Sequence, residues 1–104
     1  MTTTTIDRYT IHVDPEGFLT DPSEWTEDLA TALAAQIGIT LTDQHRAAIR
    51  FAREDFAEHG EAPTVRRLAV AGGIPTKTLF TLFPQKPAKK LAYVSGLPKP
   101  RGCV

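Results

Sequence analysis

Apolar residues along this chain change their period after the first twenty positions. Tyr9, Ile11 and Val13 alternate with polar neighbours, the two-residue repeat of a strand with one buried face. Asp14-Pro15-Glu16-Gly17 carries turn chemistry and Phe18-Leu19 resumes an extended run, so residues 6–20 predict a small β-hairpin. From residue 21 the repeat lengthens to that of a helix. Asp21 reads as an N-cap, with Pro22 in the first helical position and Glu24 completing a capping box. Leu29, Ala32, Leu33 and Ile37 recur at helical spacing until Gly38 closes the element. Trp25, near its start, is expected to pack its indole on that helix.

Thr42 caps the next helix, with Asp43 in its first turn, a stripe of Ile49, Ala52, Phe56 and Ala57, and Gly60 beyond its end. Two short helices are predicted over about 64–71 and 76–83, joined by Gly72-Gly73-Ile74-Pro75. Val65, Leu68 and Val70 supply the apolar face of the first. Leu79, Phe80, Leu82 and Phe83 supply that of the second, and Pro84 stops it. Pro87 opens a last helix through Val94. The predicted fold class is therefore mainly α (α+β). It is a small helical domain over residues 6–95, with an N-terminal β-hairpin and a helix-turn-helix-like portion. Residues 1–5 are expected to be disordered, and 96–104 to form a flexible C-terminal arm.

Composition narrows the chemistry. A chain of 104 residues can bury one modest core. Its one cysteine permits no internal disulfide and no multi-cysteine zinc site. His45 and His59 fall near opposite ends of one predicted helix and His12 in the hairpin, and all three read as solvated or locally bonded imidazoles, so no metal and no cofactor are expected. The threonine tract at the start has neither the basic nor the apolar part of a signal peptide, and no run is long enough to cross a membrane. These features predict a cytoplasmic protein with a reduced thiol and no membrane partner.

Charge is lopsided although the total is zero. Residues 1–61 hold all twelve acids against four arginines, a net of −8. Residues 62–104 hold eight lysines and arginines and no acid, a net of +8. The two halves can attract each other within one fold, and a basic half also suits an anionic partner, either nucleic acid or an acidic protein face.

The cysteine leaves from that basic half. Gly96-Leu97-Pro98-Lys99-Pro100-Arg101-Gly102-Cys103-Val104 has too many prolines and glycines for regular structure. Nine residues reach roughly 30 Å when extended, and Pro-Lys-Pro favours the stiff polyproline geometry. A thiol so placed is suited to presentation into a partner. Lys99 and Arg101 favour the thiolate and the Val104 carboxylate opposes it, which predicts an ordinary thiol until a partner activates it.

Two resemblances bear on function. Thr64-Val65-Arg66-Arg67-Leu68-Ala69 with Gly73-Ile74-Pro75-Thr76-Lys77-Thr78-Leu79-Phe80-Thr81-Leu82-Phe83-Pro84 resembles the helix-turn-helix of TetR-type repressors. It implies a DNA-binding regulator that presents Thr76, Lys77 and Thr81. The second resemblance is longer. Asp14-Pro15-Glu16-Gly17-Phe18-Leu19, Trp25, Leu41-Thr42-Asp43-Gln44-His45, Pro63-Thr64-Val65-Arg66, Leu79-Phe80-Thr81-Leu82-Phe83-Pro84, Pro87-Ala88-Lys89-Lys90 and the whole terminal arm are similar to the DsrC/TusE family.

That family comprises sulfur carriers related to the gamma component of dissimilatory sulfite reductase. The resemblance implies that Cys103 accepts sulfur as a persulfide and passes it on, as a carrier or sulfurtransferase more than a turnover enzyme. It implies an upstream sulfur-donor protein and a downstream acceptor, in tRNA 2-thiouridine synthesis or in a sulfite reductase complex. Direct contact with nucleic acid stays open. Ala92 stands where two-cysteine members carry their second thiol, which fits the single-cysteine, TusE-like branch. A sulfite-reductase-associated gamma protein and a regulatory homologue are the alternatives. Lys99, Arg101 and Gly102 on the arm, with Arg66, Arg67, Lys86, Lys89 and Lys90 on the body, are the expected partner-binding residues. Arg101, Lys86 and Arg46 depart from the residues usual at these family positions.

Overall fold

The computed structural model of the chain describes residues 2–100. Its only sheet among these residues is a two-stranded antiparallel hairpin of β1 (Thr2–Ile6) and β2 (Tyr9–Val13). Ile6 pairs with Tyr9 and Thr4 with Ile11, so the turn is the two residues Asp7-Arg8, with Asp7 in the left-handed region at φ 56°. The hairpin thus starts earlier than its alternation predicts. The threonine tract, expected to be disordered, is the strand that pairs with β2, because β-branched residues suit a pleated edge. Phe18-Leu19 meets β2 only through a bridge between Leu19 and Val13. The loop between them is closed by Asp14, whose Oδ1 accepts from the N–H groups of Glu16 and Phe18 at 2.9 and 3.0 Å.

The helix expected from Asp21 onward is split. Pro22–Glu24 form a single 3₁₀ turn, capped by Asp21, and Trp25 returns to extended geometry. Helix α1 (Glu27–Gln36) begins after a fresh N-cap, Thr26, whose hydroxyl accepts from Leu29 N–H. Glu24 is drawn away from the capping role: its carboxylate accepts from His12 N–H at 2.9 Å and meets His12 Nδ1 at 2.6 Å. These bonds hold its carboxyl below the usual carboxylate range. They tie the hairpin to the 3₁₀ turn.

Helix α2 (Asp43–His59) follows, then α3 (Val65–Val70), α4 (Thr76–Leu82) and α5 (Pro87–Val94). Helix α5 packs against α1, α2 and α4, which makes it the central element. The core gathers Leu29 and Leu33 of α1, Ile49 and Ala52 of α2, Leu68, Leu79 and Phe83, and Leu91 and Val94 of α5, with Ile11, Val13, Phe18 and Leu19 from the front of the chain. His45 is buried and joins α2 to α4. Its Nδ1 accepts from Thr42 N–H at 3.0 Å in a capping box, which leaves Nε2–H to donate to Leu82 O at 2.8 Å.

Three details differ from the apolar pattern. The inner face of α2 carries Ala48 and Asp55, while Ala57 is exposed. Asp55 is buried because Arg67 of α3 reaches across to it, with Nε 3.1 Å from both carboxylate oxygens. Val70 and Phe80, expected in the core, are 76% and 46% exposed. Helices this short turn only one or two residues inward, and Leu68, Leu79 and Leu82 take those places.

Candidate functional site

The end of α5 sets where the C-terminal segment begins. Gly96 adopts φ +70°, its N–H bonds to Tyr93 O at 3.3 Å, and Leu97 N–H bonds to Ala92 O at 3.0 Å. This pair of bonds is a Schellman ending, with Leu97 folding back as a buried side chain. Two residues from elsewhere bind the last carbonyls. The Trp25 indole N–H donates to Val94 O at 2.8 Å. Arg53 of α2 donates to Ser95 O at 2.7 Å and to Pro22 O at 3.2 Å, with its guanidinium 4.3 Å from the Trp25 ring centre. A cation at a helix C-terminus also complements the negative end of the helix dipole. Partial burial pulls the Arg53 pKa down from its usual value.

Trp25 therefore reaches the end of α5, a contact its place near the start of α1 did not predict. Gly96 lies against the indole so closely that a Cβ there would sit 2.7 Å from Trp25 Cβ and Cδ1. Ser95 is fully buried, and its hydroxyl has no hydrogen-bond partner among the described residues. A buried hydroxyl without a partner costs about 1–3 kcal/mol. Ser95→Ala is accordingly expected to raise stability by about 1 kcal/mol, measured as a higher midpoint in urea unfolding.

Residues 96–100 follow the surface of the domain. Leu97 and Pro100 are buried, and Lys99 Nζ is 3.1 Å from Glu16 Oε1 in the β2–3₁₀ loop. Glu16 also lines a cleft of about 460 Å³ between that loop, the end of α1 and α5. Phe18, Ile37 and Tyr93 form its apolar part, and Lys86, Lys89 and Lys90 its basic part. Phe18 and Tyr93 meet edge to face at 6.0 Å, and burial pushes the Tyr93 hydroxyl pKa up. Arg101, Gly102 and Cys103 lie outside the described residues.

The expected partner-binding residues thus divide. Lys86, Lys89 and Lys90 share one cleft, and Lys99 reaches its rim through Glu16. Arg66 and Arg67 belong to α3 instead. Arg66 is exposed, whereas Arg67 is held by Asp55 and lies 3.3 Å from His59 Nε2. Thr76, Lys77 and Thr81 are exposed on α4, with the Thr81 hydroxyl bonded back to Lys77 O. Among the described residues no group of three or more His, Cys, Asp or Glu could hold a metal ion. No helix among them is long and apolar enough to cross a membrane.

Sequence reading did not single out Arg53 or Glu16. Arg53 carried a faint signal, an arginine four residues after Ile49 beside the apolar stripe. Glu16 looked like ordinary turn chemistry.

A family model described as DsrC like protein matches residues 5–104. The chain belongs to the DsrC-like family. Sulfurtransferase TusE of Salmonella typhimurium is 38% identical over 101 residues, covering 90% of this chain and 93% of that protein. Its counterpart in Escherichia coli is 36% identical over the same share of each. The solution structure of Allochromatium vinosum DsrC superposes with a TM-score of 0.82 at 38% identity, covering 98% of this chain and 97% of that one. The oxidized gamma-subunit of the dissimilatory sulfite reductase (DsrC) from Archaeoglobus fulgidus gives 0.77 at 36% identity, over 99% of this chain and all of that one. The mainly helical domain with its front hairpin is therefore the DsrC-like fold. Within it, Ala92 lies buried in α5, its carbonyl bonded to Leu97 N–H.

Proposed function

We propose that this DsrC-like chain is a sulfur-relay carrier that takes up sulfur on Cys103 and hands it to a second protein. The observation that carries the reading is the match of the family model through residue 104, which takes in the arm and its one thiol. Loading is a displacement at sulfur. The Cys103 thiolate attacks the outer sulfur of a donor persulfide, and a new sulfur–sulfur bond forms as the donor's breaks. The electron pair leaves on the donor thiolate, and the proton of the outer sulfur travels with it. Discharge to an acceptor repeats the same step in the other direction.

With Ala92 in place of a second thiol, a loaded Cys103 has no cysteine in its own chain to attack it. The sulfur therefore leaves to another molecule, which separates this chain from a carrier that closes an internal disulfide. Lys99, Arg101 and Gly102 would meet the partner beside the thiol, and Lys86, Lys89 and Lys90 would attract its acidic groups. Arg66 would add to this attraction, and Arg67 would do so only through the outward side of its guanidinium. The resemblance to TusE favours an acceptor on the route to tRNA 2-thiouridine, in a reducing cytoplasm where the thiol stays free.

Intact-protein mass spectrometry tests the reading. Incubation with a small persulfide donor is expected to add the mass of one sulfur atom, and a reductant is expected to remove it. No adduct under conditions that load a known persulfide carrier would refute it.

A further inference from the structure

Four side-chain and backbone contacts converge on the last turn of α5, and only the two backbone ones are needed to end a helix. The Schellman bonds of Gly96 and Leu97 already satisfy two terminal carbonyls. Trp25 and Arg53 bind the next two, Val94 O and Ser95 O, from two separate parts of the chain. Arg53 also holds Pro22 O, so one guanidinium fastens the 3₁₀ turn, the indole and α5 together. Removing the planar fork would free all three at once. The segment that starts from this point carries Cys103.

We propose that Arg53, together with Trp25, is a positioning residue that fixes where and in which direction the C-terminal segment leaves helix α5 to run along the domain. The consequence for sulfur transfer rests on the carrier reading above; the geometric claim does not. From Gly96 the segment runs on along the domain, with Leu97 and Pro100 buried and Lys99 beside Glu16. A fixed start at Gly96 therefore sets the course of the chain up to residue 100, three residues before the thiol at about 3.3–3.6 Å per residue. It thereby raises the fraction of docked encounters in which the thiol faces its target.

The chain offers a direct probe, since it has one tryptophan and one cysteine. A small thiol-reactive acceptor dye on Cys103 reports, by time-resolved energy transfer, the distribution of its distances from Trp25. In the full-length protein, Arg53→Met is expected to broaden that distribution and Arg53→Lys to broaden it less, well below the melting temperature of each. Circular dichroism establishes that each variant is folded. An unchanged distribution in folded Arg53→Met would overturn the proposal. Should that variant fail to fold, Arg53→Lys carries the same test, because its compact ammonium cannot bridge Ser95 O and Pro22 O in the same planar way.

The chemical readout is the rate of Cys103 with a small soluble persulfide, which is expected to be the same in wild type and both variants. A parallel loss of that rate would mean that Arg53 alters the thiol itself and would overturn a purely positional role. Failure of wild type to load at all would sink the carrier reading and leave the energy-transfer result standing.

Discussion

A serine at position 103 is expected to abolish sulfur loading completely while leaving the fold unchanged. The hydroxyl is isosteric enough to keep the arm's composition, but it does not ionise near neutral pH and cannot attack a persulfide sulfur. Substitutions remote from a packed core generally shift stability by no more than about 0.5 kcal/mol. Position 103 lies in a proline- and glycine-rich stretch past the last helix of the sequence, where substitutions are commonly tolerated. Thermal unfolding of Cys103→Ser should therefore overlay that of the wild type. The mass adduct should vanish, and cells that depend on this chain should lose the downstream sulfur-containing product. Retained loading in the serine variant would place the sulfur on some other group. With no second cysteine in the sequence, that result would remove the proposed chemistry as a whole.

The absence of a second thiol has a mechanistic consequence. A persulfide on a chain with a resolving cysteine can collapse internally and release sulfide. On the proposed reading, discharge from this chain is left to whatever partner brings the next nucleophile. Such a carrier depends on presentation more than on internal reactivity, so the geometry at the root of the arm matters more than its charge. Lys99 illustrates the point. In sequence it looked like a cation held beside the thiol, yet its ammonium is paired with Glu16 on the body. An exposed pair of this kind contributes about 0–1 kcal/mol and can exchange when a partner docks.

What could be read from sequence alone follows the range of the interactions. The helices of the rear half were legible because Gly72-Gly73-Ile74-Pro75, Pro84 and Pro87 act locally on the backbone. The cap at Thr42 was likewise a short-range signal. Interactions between distant segments were not legible. The threonine tract has no alternation to betray a strand, and its partner is chosen by the Asp7-Arg8 turn. Asp55 carried no local signal of burial, because its partner Arg67 comes from α3. Trp25 was assigned to its nearest helix, whereas its hydrogen bond runs to Val94, 69 residues away. Cys103 was singled out by its placement and by the motif around it, and these owe nothing to packing.

Gly96→Ala is expected to cost far more than the same change at Gly60, and the comparison isolates the reason. Both glycines are left-handed, at φ +70° and +77°, and both end helices. A Cβ at Gly60 meets nothing within 4 Å, so Gly60→Ala should lose about 1 kcal/mol, the usual strain of a non-glycine residue in that region. A Cβ at Gly96 carries the same strain and in addition lies 2.7 Å from Trp25 Cβ and Cδ1 and 2.9 Å from Cγ. Trp25 cannot give way freely, because its indole is bonded to Val94 O and faces Arg53. Overpacking of this kind adds about 1–3 kcal/mol, for a total of roughly 2–4 kcal/mol. That is a large part of the 5–15 kcal/mol typical of a small domain. Urea unfolding of the two alanine variants checks the difference. Equal losses would mean that the end of α5 moves off Trp25 easily, and the root of the arm would then not be fixed by this contact. A double variant gives the complement: with Trp25→Ala already present, the excess loss of Gly96→Ala over Gly60→Ala should shrink without vanishing, since Cγ and Cδ1 are gone while the Cβ 2.7 Å away remains.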